Sequence, residues 1–255
     1  IETLQLRDGT TSYAEVMNLI DSQGTTEGNI SWSQIPNSGY TGAEVEEAID
    51  FYEQRAADLL NGGDSTANER ISLAGQQGQI DAGDGLDTGV LNQSRTTYTV
   101  TDQDATISVS GGGVNVQLVN VERLEFTDGF LGFDEPSERA YRLYEAAFDR
   151  QPDAQGLGYW IKQLDQGTDF NQVASSFIDS QEFRSLYGTN PSDDAFVDLI
   201  YQNVLDRQPD PGGESYWTGE LAQGMPRSEM LARFSDSEEN RANVAAQIDD
   251  GVFYL

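Results

Sequence analysis

The sequence predicts an α+β fold, mostly helical, with a small β region placed before a two-copy helical repeat at the C-terminus. Two observations carry this reading. First, residues 144–182 recur at residues 201–239 without a gap: Asp149-Arg150-Gln151-Pro152-Asp153, Gly156, Tyr159-Trp160, Leu164, Phe177 and Glu182 return as Asp206-Arg207-Gln208-Pro209-Asp210, Gly213, Tyr216-Trp217, Leu221, Phe234 and Glu239, an offset of 206 − 149 = 57. A period of that size, carrying the same helix punctuation twice, means two copies of one helical unit packed side by side. Second, between residues 80 and 134 the apolar period falls to two, the signature of strands with one buried face.

Taken in order, residues 1–79 read as an N-terminal helical segment. Tyr13, Val16, Met17 and Ile20 recur at helical spacing. A Gly/Ser/Thr/Asn-rich loop follows over residues 21–39. Thr41 then caps a second helix in which Val45, Ile49, Tyr52, Ala56, Leu59 and Leu60 share a face, and Gly62-Gly63 ends it. The loop is no helix-loop-helix calcium site, because the twelve-residue frame opening at Asp21 closes on Trp32 instead of a glutamate.

In the β region, residues 80–134, Tyr98 and Val100, Ile107 and Val109, Val114, Val116 and Leu118, and Leu124 and Phe126 alternate with polar residues. Turns at Asp102-Gln103-Asp104 and Gly111-Gly112-Gly113 separate them. The helical repeat domain, residues 135–255, opens at Pro136 and Ser137. Each copy predicts four short helices. The first ends at the Asp-Arg-Gln-Pro turn, since proline cannot continue a helix. Asp153 and Asp210 stand where the second helix needs its N-cap, and Pro211 takes the first helical position. Gly167 and Gly224 stop that helix, and Ser180 and Ser237 cap the fourth.

Composition narrows the function. The net charge is −30, from 44 acidic against 14 basic residues, and Lys162 is the single lysine. Nucleic acid and anionic membrane surfaces both require clustered positive potential, so neither is an expected partner. With no cysteine and no histidine, thiolate chemistry, disulfides, imidazole bases and imidazole ligands are all excluded. No apolar run reaches the roughly 18 residues of a membrane span.

The segment Asp81-Ala82-Gly83-Asp84-Gly85-Leu86-Asp87 is the metal candidate. Its glycines let the backbone turn tightly, and its aspartates supply the hard oxygens that calcium prefers. The candidate metal residues are Asp81, Gly83, Asp84, Gly85 and Asp87. It approximates the Gly-Gly-x-Gly-x-Asp nonapeptide of calcium-binding β-rolls, although Ala82 replaces the first glycine and a single copy is present. Two readings stand: a calcium site, or an Asp/Gly turn that opens the sheet. The repeated Asp-Arg-x-Pro-Asp reads as structure, its aspartates closing or capping helices and Arg150 or Arg207 bracing the turn. Trp160 and Trp217 read as core.

The repeat resembles the bacterial domain of unknown function 4214, whose Arg-x-Pro-Asp turn, Gly, aromatic pair and Phe-x-x-Ser-x-Glu segment both copies carry. That family looks distantly similar to phycobilisome linker domains. Its usual neighbour is a haemolysin-type, or RTX, calcium region, which residues 82–87 and 120–129 resemble in degenerate form. The resemblance implies calcium binding and export by a type I secretion system, whose substrates often end as Asp249 to Leu255 do, in acids followed by apolar residues. The expectation is a secreted, extracellular bacterial protein without catalytic residues, which binds calcium and serves structure, assembly or adhesion through a protein or cell-surface partner. Two alternatives remain open: a glycoside-type hydrolase using two carboxylates about 5–9.5 Å apart, and a protein-binding linker without metal.

Overall fold

A computed structural model of the chain describes residues 67–103 and 106–255, together with the backbone of two short strands near the N-terminus. The chain divides into two compact units, Ile1–Ala56 and Ala57–Leu255. In the first, β1 (Leu4–Leu6) pairs antiparallel with β2 (Gly9–Thr11). This hairpin was not expected in a segment read as helical; the helices expected over residues 12–20 and 41–60 lie outside the described residues.

The second unit is α+β, with eight of its nine described strands before the helices and the last, β11, after them. Its strands are β3 (Arg70–Ser72), β4 (Gln77–Asp81), β5 (Thr88–Val90), β6 (Thr99–Asp102), β7 (Ile107–Gly111), β8 (Val114–Val119), β9 (Arg123–Phe126), β10 (Gly129–Gly132) and β11 (Val252–Tyr254). They form two sheets, ordered β11-β10-β9-β5-β3 and β4-β8-β7-β6. The chain winds from one sheet to the other and back. It passes β3, β4 and β5, makes the β6–β7 hairpin, then passes β8 and β9, so that β5 lies parallel to β3, β8 to β4 and β9 to β5. Alternation explains which side faces in: Val114, Val116 and Leu118 of β8 are buried, while Asn115 and Gln117 between them are exposed. Both sheets share one core of Leu73, Ile80, Val109, Val116, Leu118 and Leu124.

The sheet draws on residues outside 80–134 at both ends. β3 precedes Ile80, and β11, at the far end of the chain, pairs antiparallel with β10. Asp249 to Leu255, read from resemblance as an export tail, thus carries an edge strand. Tyr254 stacks on Phe130 at 5.4 Å between ring centroids, and Val252 and Tyr254 pack with Ala140, Tyr141, Leu157 and Ile161 of the helical part.

Eight helices follow among the described residues: α1 (Glu135–Phe148), α2 (Ala154–Asp165), α3 (Phe170–Ile178), α4 (Gln181–Tyr187), α5 (Asp193–Leu205), α6 (Pro211–Ala222), α7 (Arg227–Ser235) and α8 (Glu238–Ile248). Adding 57 to the bounds of α2 and α3 gives those of α6 and α7. The expected caps are in place: Asp153 accepts from the Gly156 amide at 2.8 Å, and Asp210 from the Gly213 amide at 3.0 Å. Each copy also repeats an aromatic nest. Trp160 lies 4.9 Å from Phe177 and Trp217 lies 5.0 Å from Phe234, with Tyr144 and Tyr201 edge-on to the same phenylalanines. These residues belong to a single core to which both copies contribute. Arg142 ties the copies together, buried on α1 and bonded to Glu138, Glu135 and, from the second copy, Asp236.

Candidate metal centre at the stacked turns

The winding of the sheets places the candidate turn. Because β4 and β8 are parallel with Asp81 opposite Val119, and β5 and β9 are parallel with Thr88 opposite Arg123, their connecting turns lie one on the other. Hydrogen bonds hold residues 82–87 to residues 120–122. The Ala82 amide donates to the Val119 carbonyl at 3.0 Å, the Asn120 side chain donates to Asp81 Oδ1 at 2.8 Å, and the Asp87 amide donates to Glu122 Oε2 at 2.7 Å. In return the Glu122 and Arg123 amides donate to the Asp87 carbonyl.

A third layer lies on the other side, where β3 runs parallel to β5. The Glu69 amide donates to Asp87 Oδ1 at 2.7 Å and the Leu86 amide to Asn68 Oδ1 at 3.0 Å. Gly85 makes this contact possible. Its φ of +152° is rarely open to a side chain, and a Cβ there would sit 2.8 Å from the Ala67 carbonyl oxygen.

Asp87 is therefore the middle of a three-layer stack. It is fully buried, and its Oδ2 has no hydrogen-bond partner among the described residues. Burial pushes its carboxyl pKa up, partly opposed by the Glu69 amide, while the Glu69 carboxylate adds to the rise. Glu122 is also raised, first by burial and then by the Asp87 and Asp134 carboxylates, against the stabilising Asp87 amide. Two carboxyl groups in adjacent layers are thus each held in surroundings that resist their charge.

The five sequence-predicted residues do not share one place. Asp87 points into the stack. Asp81 is exposed and already serves the Gly83 amide and Asn120, and Asp84 is exposed on the turn between Gly83 and Gly85. Among the described residues no three acidic side chains gather closely enough to hold a metal by themselves. Glu122 escaped sequence reasoning. Its signal was the requirement that a β-roll site take ligands from two stacked turns, but the partner turn cannot be identified until the parallel register of β5 and β9 is known.

Beside the stack, Arg123 joins the sheet to the helices. Its Nε donates to Asp134, the N-cap of α1, and its two terminal nitrogens bond both oxygens of Asp165, at the end of α2, at 2.7 and 2.8 Å. Burial works against its charge, but the Asp165 and Asp134 carboxylates outweigh it and raise its pKa further.

The repeated Asp-Arg-x-Pro-Asp turns form braces. Arg150 reaches both oxygens of Glu182 at 2.6 and 3.1 Å, and Arg207 reaches those of Glu239 at 2.6 and 2.8 Å. Asp153 is held below the ordinary carboxylate range, first by the Gly156 amide and then by the Tyr144 hydroxyl.

No helix among the described residues is long and apolar enough to cross a membrane. A comparison with curated proteins finds no match. A family model described as Domain of unknown function (DUF4214) matches residues 134–173 and 174–244. These matched residues run from the Asp134 cap of α1 into α8, so the similarity to DUF4214 covers the helical repeat region.

Proposed function

We propose that the chain is a secreted, non-enzymatic calcium-binding protein, in which an ion at the stacked turns consolidates a structural or adhesive scaffold. The observation that carries this reading is the buried Oδ2 of Asp87 without a donor, one layer from the Glu122 carboxylate. A buried carboxylate left half-paired is costly, and a hard divalent cation is a partner that would relieve Asp87 while drawing on the neighbouring Glu122 carboxylate. Asp87 and Glu122 would hold the ion, with Asp84 and the carbonyls of Gly83 and Gly85 as the sequence-predicted source of further oxygen. When bound, calcium supplies charge neutralisation and cross-linking of adjacent turns. Asp81 is the weakest member of the sequence-predicted set, since its Oδ1 already accepts two hydrogen bonds. Secretion rests on the acidic, cysteine-free composition together with the RTX resemblance.

The protein-binding linker without metal is the second reading, and a specific observation favours it. Tyr159 and Tyr216 occupy equivalent positions in the two copies and are 55% and 52% exposed. Thermal melting in calcium and in chelator separates the two. An ion bound only by the folded chain at a hundred times its Kd stabilises by about 2.7 kcal/mol, so calcium should raise the melting temperature of the wild type but not of Asp87→Asn. Melting indifferent to calcium would leave the linker reading.

A further inference from the structure

The two copies differ where they meet. α1 and α5 are the equivalent first helices, and their apolar faces enter one core through Leu143, Ala147, Val197 and Val204. Each ends on an aspartate in the left-handed conformation, Asp149 at φ 50° and Asp206 at φ 52°. Helix C-termini carry the negative end of the backbone dipole, so both ends already disfavour added negative charge. One turn before Asp149 stands Glu145, whose Oε2 is sealed from solvent and has no hydrogen-bond partner among the described residues. The equivalent position in the second copy, 145 + 57 = 202, holds the neutral Gln202, which is exposed and accepts from the Gln208 side chain at 2.9 Å.

Among the described residues, the charged groups that act on Glu145 are both acids. Asp149 on its own helix and Asp206 at the end of α5 both act on it, and Tyr141 of α1 and Tyr187 of α4 feel its charge. No basic side chain among the described residues pairs with it. The Tyr187 hydroxyl is engaged elsewhere, donating to the Ala146 carbonyl at 3.1 Å.

We propose that Glu145 is a proton switch at the seam between the two repeat copies: the protonated carboxyl lets α1 and α5 close on each other, and the carboxylate loosens them. Burial first, then Asp149 and Asp206, push its pKa up to about 7. The direction follows from linkage. Because the folded state holds the proton to higher pH than the unfolded chain, the seam is most stable below the ordinary glutamate range. Stability is then lost as pH rises through about 7. The second copy, with an amide at this position, has no such dependence.

The test is thermal melting of the full chain from about pH 3.5 to about pH 8.5, spanning the ordinary and raised glutamate values, for wild type, Glu145→Gln and Asp206→Asn. Asparagine tolerates the left-handed cap, so the last variant keeps the helix end. Glu145→Gln should match the wild type at the acid end and melt several degrees higher at the alkaline end. Asp206→Asn should move the midpoint of the wild-type decline to lower pH. A gap between Glu145→Gln and wild type that does not change with pH would overturn the proposal, as would a midpoint unmoved in Asp206→Asn.

Discussion

A single carboxylate can hold a fold together or oppose it, and Asp153 and Asp87 show both cases. Asp153 caps α2 and takes the Tyr144 hydroxyl at 2.8 Å. Its pKa is lowered, so its contribution is present above the unfolded value and is lost as pH falls through the folded one. Asp153→Ala should cost about 1 kcal/mol, the usual worth of an N-cap, measured by urea unfolding near neutral pH, and the penalty should shrink in acid. Asp87 has the opposite sign. With its pKa raised by burial, the metal-free protein gains from its protonation and loses stability as pH rises. The capping role of Asp153 was legible in the sequence because its position after a proline turn and before a helix defines it locally. The orphaned oxygen of Asp87 was not, since burial of one carboxylate depends on strands remote in sequence.

Elements were legible in proportion to their length and punctuation. The helices announce themselves through Asp and Ser caps, Gly stops and apolar faces, and the 57-residue offset reproduces α2 in α6 and α3 in α7 to the residue. β7 and β8 were readable from five or six residues of alternation. β3, β5 and β11 have three residues each, barely one period of two, and nothing in Arg70-Ile71-Ser72 or Thr88-Gly89-Val90 separates a strand from a loop. β11 was the hardest to foresee, because its partner β10 lies some 120 residues earlier, at Phe130 for Tyr254. Its seat is made by Gly158 of α2, where a Cβ would lie 2.0 Å from the Leu255 carbonyl oxygen, beside the bond from the Leu255 amide to Ala154. Gly158→Ala should therefore displace the C-terminal strand while leaving the α2 helix intact. Faster amide exchange confined to residues 252–255 and β10 would show it, and unchanged protection there would contradict it.

At the scale of the second unit, one arginine connects the stacked turns to the repeat. Arg123 follows Glu122 directly and holds both Asp134, where α1 begins, and Asp165, where α2 ends. Removing it would leave two carboxylates without their cation. Arg123→Met should cost about 3–5 kcal/mol, the range for breaking one side of a buried ion pair, seen as a lower urea midpoint for sheet and helices together. Loss of the sheet signal alone would show that the two parts are not coupled. The α+β class and the two-copy repeat were legible because they rest on period and repetition. The centre was half legible: Asp87 lay within a recognisable turn, but Glu122 becomes its neighbour only through parallel pairing between strands 35 residues apart. The most direct test of the calcium reading is a calorimetric titration of calcium into the wild type, Asp87→Asn and Glu122→Gln at neutral and mildly acidic pH. The account predicts one binding event that is lost in Asp87→Asn, weakened in Glu122→Gln and weakened by acid, because the raised carboxyls must give up their protons to solvent before they can bind the ion. Binding of equal strength in all three proteins, or none in the wild type, would contradict it.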